Sequence, residues 1–97
     1  MLTAPLLYNN RCEVRMEGDT GHCWVWAPYN IDFIVDLKLT FCAPEALAGA
    51  IGFDKGAEWD HVIKAWHIYT GWQGCEDWYE KLISLLNKHF PCNHHAT

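Results

Sequence analysis

The spacing of apolar residues changes once along this chain, near residue 42. Before that point apolar and polar side chains alternate, which is the two-residue period of a half-buried β-strand. After it, apolar residues recur every three or four positions, as in an amphipathic helix. The sequence therefore predicts an α+β domain, in which a small antiparallel sheet of about three strands packs against about three helices.

Three segments carry the strand period. Arg11–Glu17 and His22–Ala27 flank the turn-forming residues Gly18–Gly21, so they predict a hairpin. After the break at Pro28, Ile31–Phe41 alternates over its whole length and gives the strongest strand signal in the chain. The short connections favour antiparallel neighbours.

The second half predicts helices. Pro44 suits the first turn of a short helix that Gly52 can close after Ile51. Cys75–His89 predicts the last helix, with acidic residues in its first turn and basic ones in its last, and we expect it to pack centrally across the sheet. Between them, apolar residues at helical spacing predict a further helix that ends near Gly71: Trp59, Val62, Ile63, Trp66 and Tyr69.

Length, charge and cysteines narrow the class of protein. At 97 residues the chain fits one domain, 1–97, in which 92–97 is predicted to be a flexible tail. A net charge of −5 argues against direct binding to nucleic acid or to anionic membranes. The first residues lack a secretory signal, and five scattered cysteines suggest reduced thiols, so we expect a cytoplasmic protein.

Two groups of residues suggest chemistry, and neither is specific. Cys75 begins a predicted helix, where a thiolate is stabilised, although two acidic residues follow it. The cluster His89, Cys92 and His94 offers zinc ligands without a standard zinc spacing. A small metal- or thiol-dependent enzyme using either group is the alternative hypothesis. We predict no cofactor, since signature motifs for nucleotide binding, hydrolysis and metalloproteolysis are absent from the sequence.

Aromatic residues are unusually abundant: six tryptophans, four tyrosines and four phenylalanines. Each buried aromatic removes roughly 150–250 Å² from water, so some should reach the surface of so small a domain. Trp59, Trp66 and Trp78 fit core positions of helices, and we expect Trp24 and Trp26 to point inward. Trp72 lies in a turn, where an aromatic side chain either caps the core or anchors a partner.

The absence of catalytic signatures, the surplus aromatics and the acidic balance together favour a non-enzymatic interaction protein. We expect a small inhibitor or immunity factor that blocks a larger, locally basic protein partner. It could be encoded by a phage or mobile element and cover the nucleic-acid-binding surface of a defence enzyme, such as a CRISPR or restriction effector. A single-stranded nucleic-acid module based on aromatic stacking is disfavoured, because basic residues are lacking among the tryptophans. The predicted partner-binding residues are Trp72, Tyr29, Asp54, Glu58, Glu76, Asp77 and Glu80.

Overall fold

The computed structural model describes residues 7–8, 12–42 and 57–91, which form one antiparallel sheet and two helices. The described elements are strands β1 (Leu7–Tyr8), β2 (Glu13–Met16), β3 (His22–Trp26), β4 (Ala57–Asp60) and β5 (Ala65–Tyr69), and helices α1 (Ile31–Thr40) and α2 (Trp78–His89). The strands lie side by side in the order β1-β2-β3-β5-β4. The α+β class is confirmed, but the predicted counts of about three strands and three helices are off.

The first hairpin is confirmed. β2 pairs with β3 in antiparallel register, with Val14 opposite Val25, around a turn in which Gly18 and Gly21 have positive φ. Gly21 also meets Gly71, because a Cβ on Gly21 would lie 2.8 Å from the Gly71 Cα. Only glycine combines that backbone conformation with so close an approach.

The predicted strand Ile31–Phe41 is wrong, because this segment forms α1. The Asn30 side chain caps the helix by accepting a hydrogen bond from the Phe33 backbone N–H at 3.0 Å. The segment is apolar on several sides at once, so it satisfies a two-residue alternation and a helical period together. The cap and the acidic first turn select the helix. The side chains that it buries are Phe33, Ile34 and Leu37.

The predicted helix with Trp59 and Trp66 in its core stripe is also wrong, because these residues lie on the hairpin β4–β5. The Asp60 carboxylate accepts hydrogen bonds from the Val62 and Ile63 backbone N–H groups, both at 2.9 Å, and so closes the turn. The two tryptophans face each other across the strands, with ring centroids 5.3 Å apart. Trp66 packs against the core, whereas Trp59 is partly exposed.

The last predicted helix is confirmed as α2, which starts three residues later than the predicted Cys75. Its inner face buries Leu82, Leu85 and Leu86, and Phe90 follows into the same core. Trp78 packs against that core from a half-buried position, as expected. Its polar residues Lys81, Ser84 and Asn87 lie in solvent.

Both helices cover one face of the sheet, called here the inner face. It carries Val14, Cys23, Val25 and Ile68, which join the helix side chains in one apolar core. Trp24 and Trp26 alternate with these β3 residues and therefore lie on the opposite, outer face. The expectation that they point inward is wrong with respect to the helices, although Trp24 is buried on the outer face, at 7% exposed, and Trp26 is partly buried there.

Several expectations lie outside the described residues. They are the short helix predicted from Pro44 to Ile51, the site residue Asp54 and the tail 92–97. In the described part of the chain, neither helix has the length and apolarity needed to cross a lipid bilayer.

Candidate functional site

Helix α1 carries apolar side chains on its solvent side as well as on its core side. Ile31, Val35 and Leu39 are spaced four residues apart, so they share one face of the helix, and they are 57%, 48% and 71% exposed. Tyr29, just before the cap, is 84% exposed. These four residues, called here the α1 stripe, form a row of large apolar side chains in water. Such contiguous patches mark interaction sites more often than isolated apolar residues do.

The side of α1 opposite the stripe is packed into the core. The opposite side of α1 is anchored by Phe33 and Leu37, which are buried in the core, and by the end residue Phe41. At the far end of the helix, the Lys38 ammonium lies 5.7 Å from the centroid of the Trp66 ring. The exposed side chains are therefore presented by an element whose position is fixed before any partner arrives.

A polar depression of about 340 Å³ borders the α1 stripe where α1 meets the end of α2. It is lined by Asp32, Val35, Asp36, Lys88 and His89, so Val35 belongs to both features. Asp36 accepts a hydrogen bond from His89 Nε2 at 2.8 Å, and the Lys88 ammonium lies 3.3 Å from the same oxygen. These bonds, that from His89 first, lower the pKa of Asp36 below its usual value. The contacts of Asp36 with His89 and Lys88 therefore connect the two helices and keep the Asp36 carboxylate ionised.

The structure separates the predicted site residues. Tyr29 belongs to the α1 stripe. Trp72 is half-buried, packs against the core and donates its indole N–H to the Tyr69 carbonyl at 3.2 Å, which is the capping arrangement. Glu58 is exposed on the edge strand β4, on the outer face of the sheet.

The predicted acidic residues Glu76, Asp77 and Glu80 lie together at the start of α2. Glu76 accepts from the Gly74 backbone N–H, and Asp77 pairs with Lys81 at 3.5 Å. Glu80 is exposed in the first turn. Glu76 and Asp77 thus have local structural contacts, and all three carboxylates add negative charge at one end of the helix.

Sequence reasoning missed Ile31, Val35 and Leu39, because it placed them on the buried face of a strand. The signal that could have found them is Asn30 followed by Asp32, a capping residue and an acidic first turn. With α1 assigned as a helix, four-residue spacing separates these side chains from Phe33 and Leu37. One of the two sets then has to face away from the core.

The outer face of the sheet contains a second cluster that the sequence did not predict. His22 on β3 and His67 on β5 share a hydrogen bond between Nδ1 and Nε2 at 2.7 Å. Trp24 stacks on the His67 ring with centroids 4.5 Å apart, and Tyr69 packs against His22 at 4.8 Å. The Trp24 indole N–H reaches Asp60 at 3.4 Å. The two histidines are 45 positions apart in the chain, and only the pairing of β3 with β5 brings them together.

The thiols and the histidine on which the alternative enzyme hypothesis depends are buried or already bonded within the fold. Cys75 is buried, and burial raises the pKa of its thiol. Cys23 lies in the core, and burial raises its pKa to about 12. Thiols of this kind remain protonated at neutral pH and are poor nucleophiles. His89 is engaged with Asp36, and its proposed co-ligands Cys92 and His94 lie beyond the described residues.

Over the ranges 12–42 and 57–91, no group of three or more His, Cys, Asp or Glu side chains is arranged to hold a metal ion. Comparison with family models, with curated proteins and with solved structures finds no match for this chain. The α1 stripe with its neighbouring depression and the histidine pair are therefore judged on their geometry alone.

Proposed function

We propose that this chain is a non-enzymatic interaction protein of the inhibitor or immunity type, which binds a larger protein through the α1 stripe. The observation that carries the proposal is the row of exposed apolar side chains on a helix that already buries its opposite face. Leaving these side chains in water adds nothing to folding, whereas covering them with a partner gains roughly 25 cal/mol per Å² of buried apolar surface.

The surroundings of the stripe favour a locally basic partner. Asp32 and Asp36 follow Ile31 and Val35 along the helix. Lys88 and His89 already engage Asp36, so the exposed carboxylate of Asp32 is the one that a partner can reach beside the stripe. A Lys or Arg side chain of a partner that enters the depression beside Val35 would meet the exposed Asp32. Such contacts accelerate association and select the partner more than they add affinity. The occupant we propose is an apolar segment of another protein that also carries basic side chains.

A second copy of this chain is a poorer match for the same surface. Each copy has a net charge of −5, so a two-fold contact through α1 would bring two like-charged molecules together, with Asp32 of each copy beside the stripe. Glu76, Asp77 and Glu80 at the start of α2 contribute to this net charge. In a basic partner these charges instead steer the approach. A nucleic-acid-binding surface on a defence enzyme is one such partner, and a cytoplasmic location suits this proposal.

Site-specific photocrosslinking in the native host tests the proposal. A photoreactive phenylalanine analogue is placed at Leu39, and a matched control carries it at Ser84, which is exposed on the outer side of α2. We expect one heterologous protein to crosslink at Leu39 and not at Ser84, and the purified partner to bind the chain directly. Crosslinking at Ser84 alone, or an adduct of two copies of this chain at Leu39, would contradict the proposal.

A further inference from the structure

Two imidazole rings on the outer face of the sheet point nitrogen to nitrogen. We propose that His22 and His67 form a binding site for a divalent transition-metal ion of the zinc type. Imidazole nitrogen is a preferred ligand of such ions, and the structure already brings one nitrogen of each ring to within 2.7 Å of the other. The site lies on the sheet face opposite the helices, so it is independent of the docking surface on α1.

Binding an ion requires the two rings to open. The nitrogens are 2.7 Å apart as hydrogen-bond partners and point at each other. Tetrahedral zinc with bonds of roughly 2.0–2.1 Å needs its ligand nitrogens about 3.3 Å apart, and each ring must turn by roughly 35° so that its lone pair points at the ion. Rotation about the side-chain bonds of both histidines supplies this change. The proton that lies between the two nitrogens moves to the distal nitrogen of its own ring, so both lone pairs face the ion.

Neighbouring aromatic rings and the sheet confine the two imidazoles to one place before any ion binds. His67 is stacked on Trp24 with an interplanar angle of 3°, and His22 packs against Tyr69. Because β3 and β5 are paired directly, the backbone positions of the two ligands are fixed by the sheet. A ligand pair that loses little conformational freedom on binding retains more of its intrinsic affinity.

Negatively charged side chains surround the pair. Asp60, Glu58 and Glu17 are close enough to act on His67 electrostatically. The same carboxylates create a negative potential that attracts a cation. Glu58 lies directly opposite His67 on β4.

Since no third ligand is in place within the described ranges, the ion would keep open coordination positions. Water or a group from another molecule fills such positions. This distinguishes the proposed site from a closed structural zinc site, in which the protein supplies every ligand. We therefore expect the fold to be stable without the metal and the affinity to be moderate.

Calorimetric titration of the full chain with Zn²⁺ tests the proposal. His22→Asn and His67→Asn should each lower the affinity by at least roughly 10-fold, the smallest effect expected when metal coordination is disturbed. His61→Asn is the matched control, because His61 is exposed on the β4–β5 turn. The His61→Asn variant should bind Zn²⁺ with the same affinity as the wild type. A second control, with His94→Ala and His95→Ala together, removes the histidines of the tail.

Zinc binding that persists in both His22→Asn and His67→Asn would overturn the proposal, and so would its loss in the tail variant alone. A spectroscopic measurement on the wild type does not depend on how the variants fold. The NMR signals of the His22 and His67 rings should shift together during the titration while those of His61 do not. Signals of the pair that stay unchanged at saturating Zn²⁺ would equally reject the site.

Discussion

The two described helices lie on the same face of the sheet, yet they differ on the side that faces water. α2 buries Leu82, Leu85 and Leu86 and exposes mainly polar side chains, in the usual pattern of a surface helix. α1 buries an equal number of side chains but exposes Ile31, Val35 and Leu39. A helix that is apolar on more than one side is typical of an element covered from more than one side. The difference is the basis for our proposal that a partner contacts α1.

The largest expected loss of stability distinguishes the buried side of α1 from its exposed side. Leu37→Ala should lower the free energy of unfolding by about 2–5 kcal/mol, because it leaves a cavity in the core. Leu39→Ala is the matched variant two residues away and should change it by less than about 0.5 kcal/mol, because Leu39 lies in water. Urea unfolding followed by circular dichroism measures both. Equal losses would mean that the stripe is covered within the chain, which would remove the proposed docking surface.

The same contrast shows how far the sequence could predict the fold. α2 was predictable because its apolar and polar residues separate cleanly at helical spacing, with charges that match the helix dipole. α1 was not, because apolar residues on its solvent side produced a false alternation. The β4–β5 hairpin was missed for a related reason. Trp59 and Trp66 face each other across its turn, and this places them seven positions apart, as on two turns of a helix.

The candidate site was predictable only in part, for a physical reason. Tyr29 was named from the sequence, whereas the other three residues of the stripe were interpreted as core. Apolar residues usually point inward, and only tertiary packing decides which face of an all-apolar helix is left in solvent. The His22–His67 contact joins two strands that are distant in the chain. No local pattern carries that information.

Capping provides a second, smaller difference between the helices. Asn30 accepts a hydrogen bond from the first turn of α1, whereas the Asp77 side chain makes no capping bond to α2. Asn30→Ala should therefore cost about 0.5–2 kcal/mol. Asp77→Ala loses no capping bond, only the exposed pair with Lys81 and a dipole interaction, so its cost should be the smaller one, at most about 1 kcal/mol. Urea unfolding of the two variants in parallel checks the order, and a larger loss for Asp77→Ala would contradict it.

The contact between the helices gives a pH-dependent prediction. The pKa of Asp36 is lower in the folded chain than in the unfolded chain, mainly because of the hydrogen bond from His89. Its contribution to stability is therefore fully present above the unfolded pKa of about 3.9 and is lost as the pH falls through the folded value. The stability difference between the wild type and Asp36→Asn should shrink below about pH 4. A difference that stays constant from pH 7 to pH 2.5 would mean that Asp36 does not stabilise the fold through its charge.

Substitutions in the α1 stripe should have the smallest effect on folding. One double variant there also tests most directly whether α1 is the docking helix. Val35→Gln with Leu39→Gln should leave the free energy of unfolding within about 0.5 kcal/mol of the wild type for each substitution. The decisive quantity is the Kd for the partner identified by crosslinking at Leu39, compared with a control variant, Lys81→Gln, on the outer side of α2. We predict that the double variant binds about 10- to 30-fold more weakly while the control binds like the wild type. An unchanged Kd in a folded double variant would contradict the claim that α1 is the docking helix.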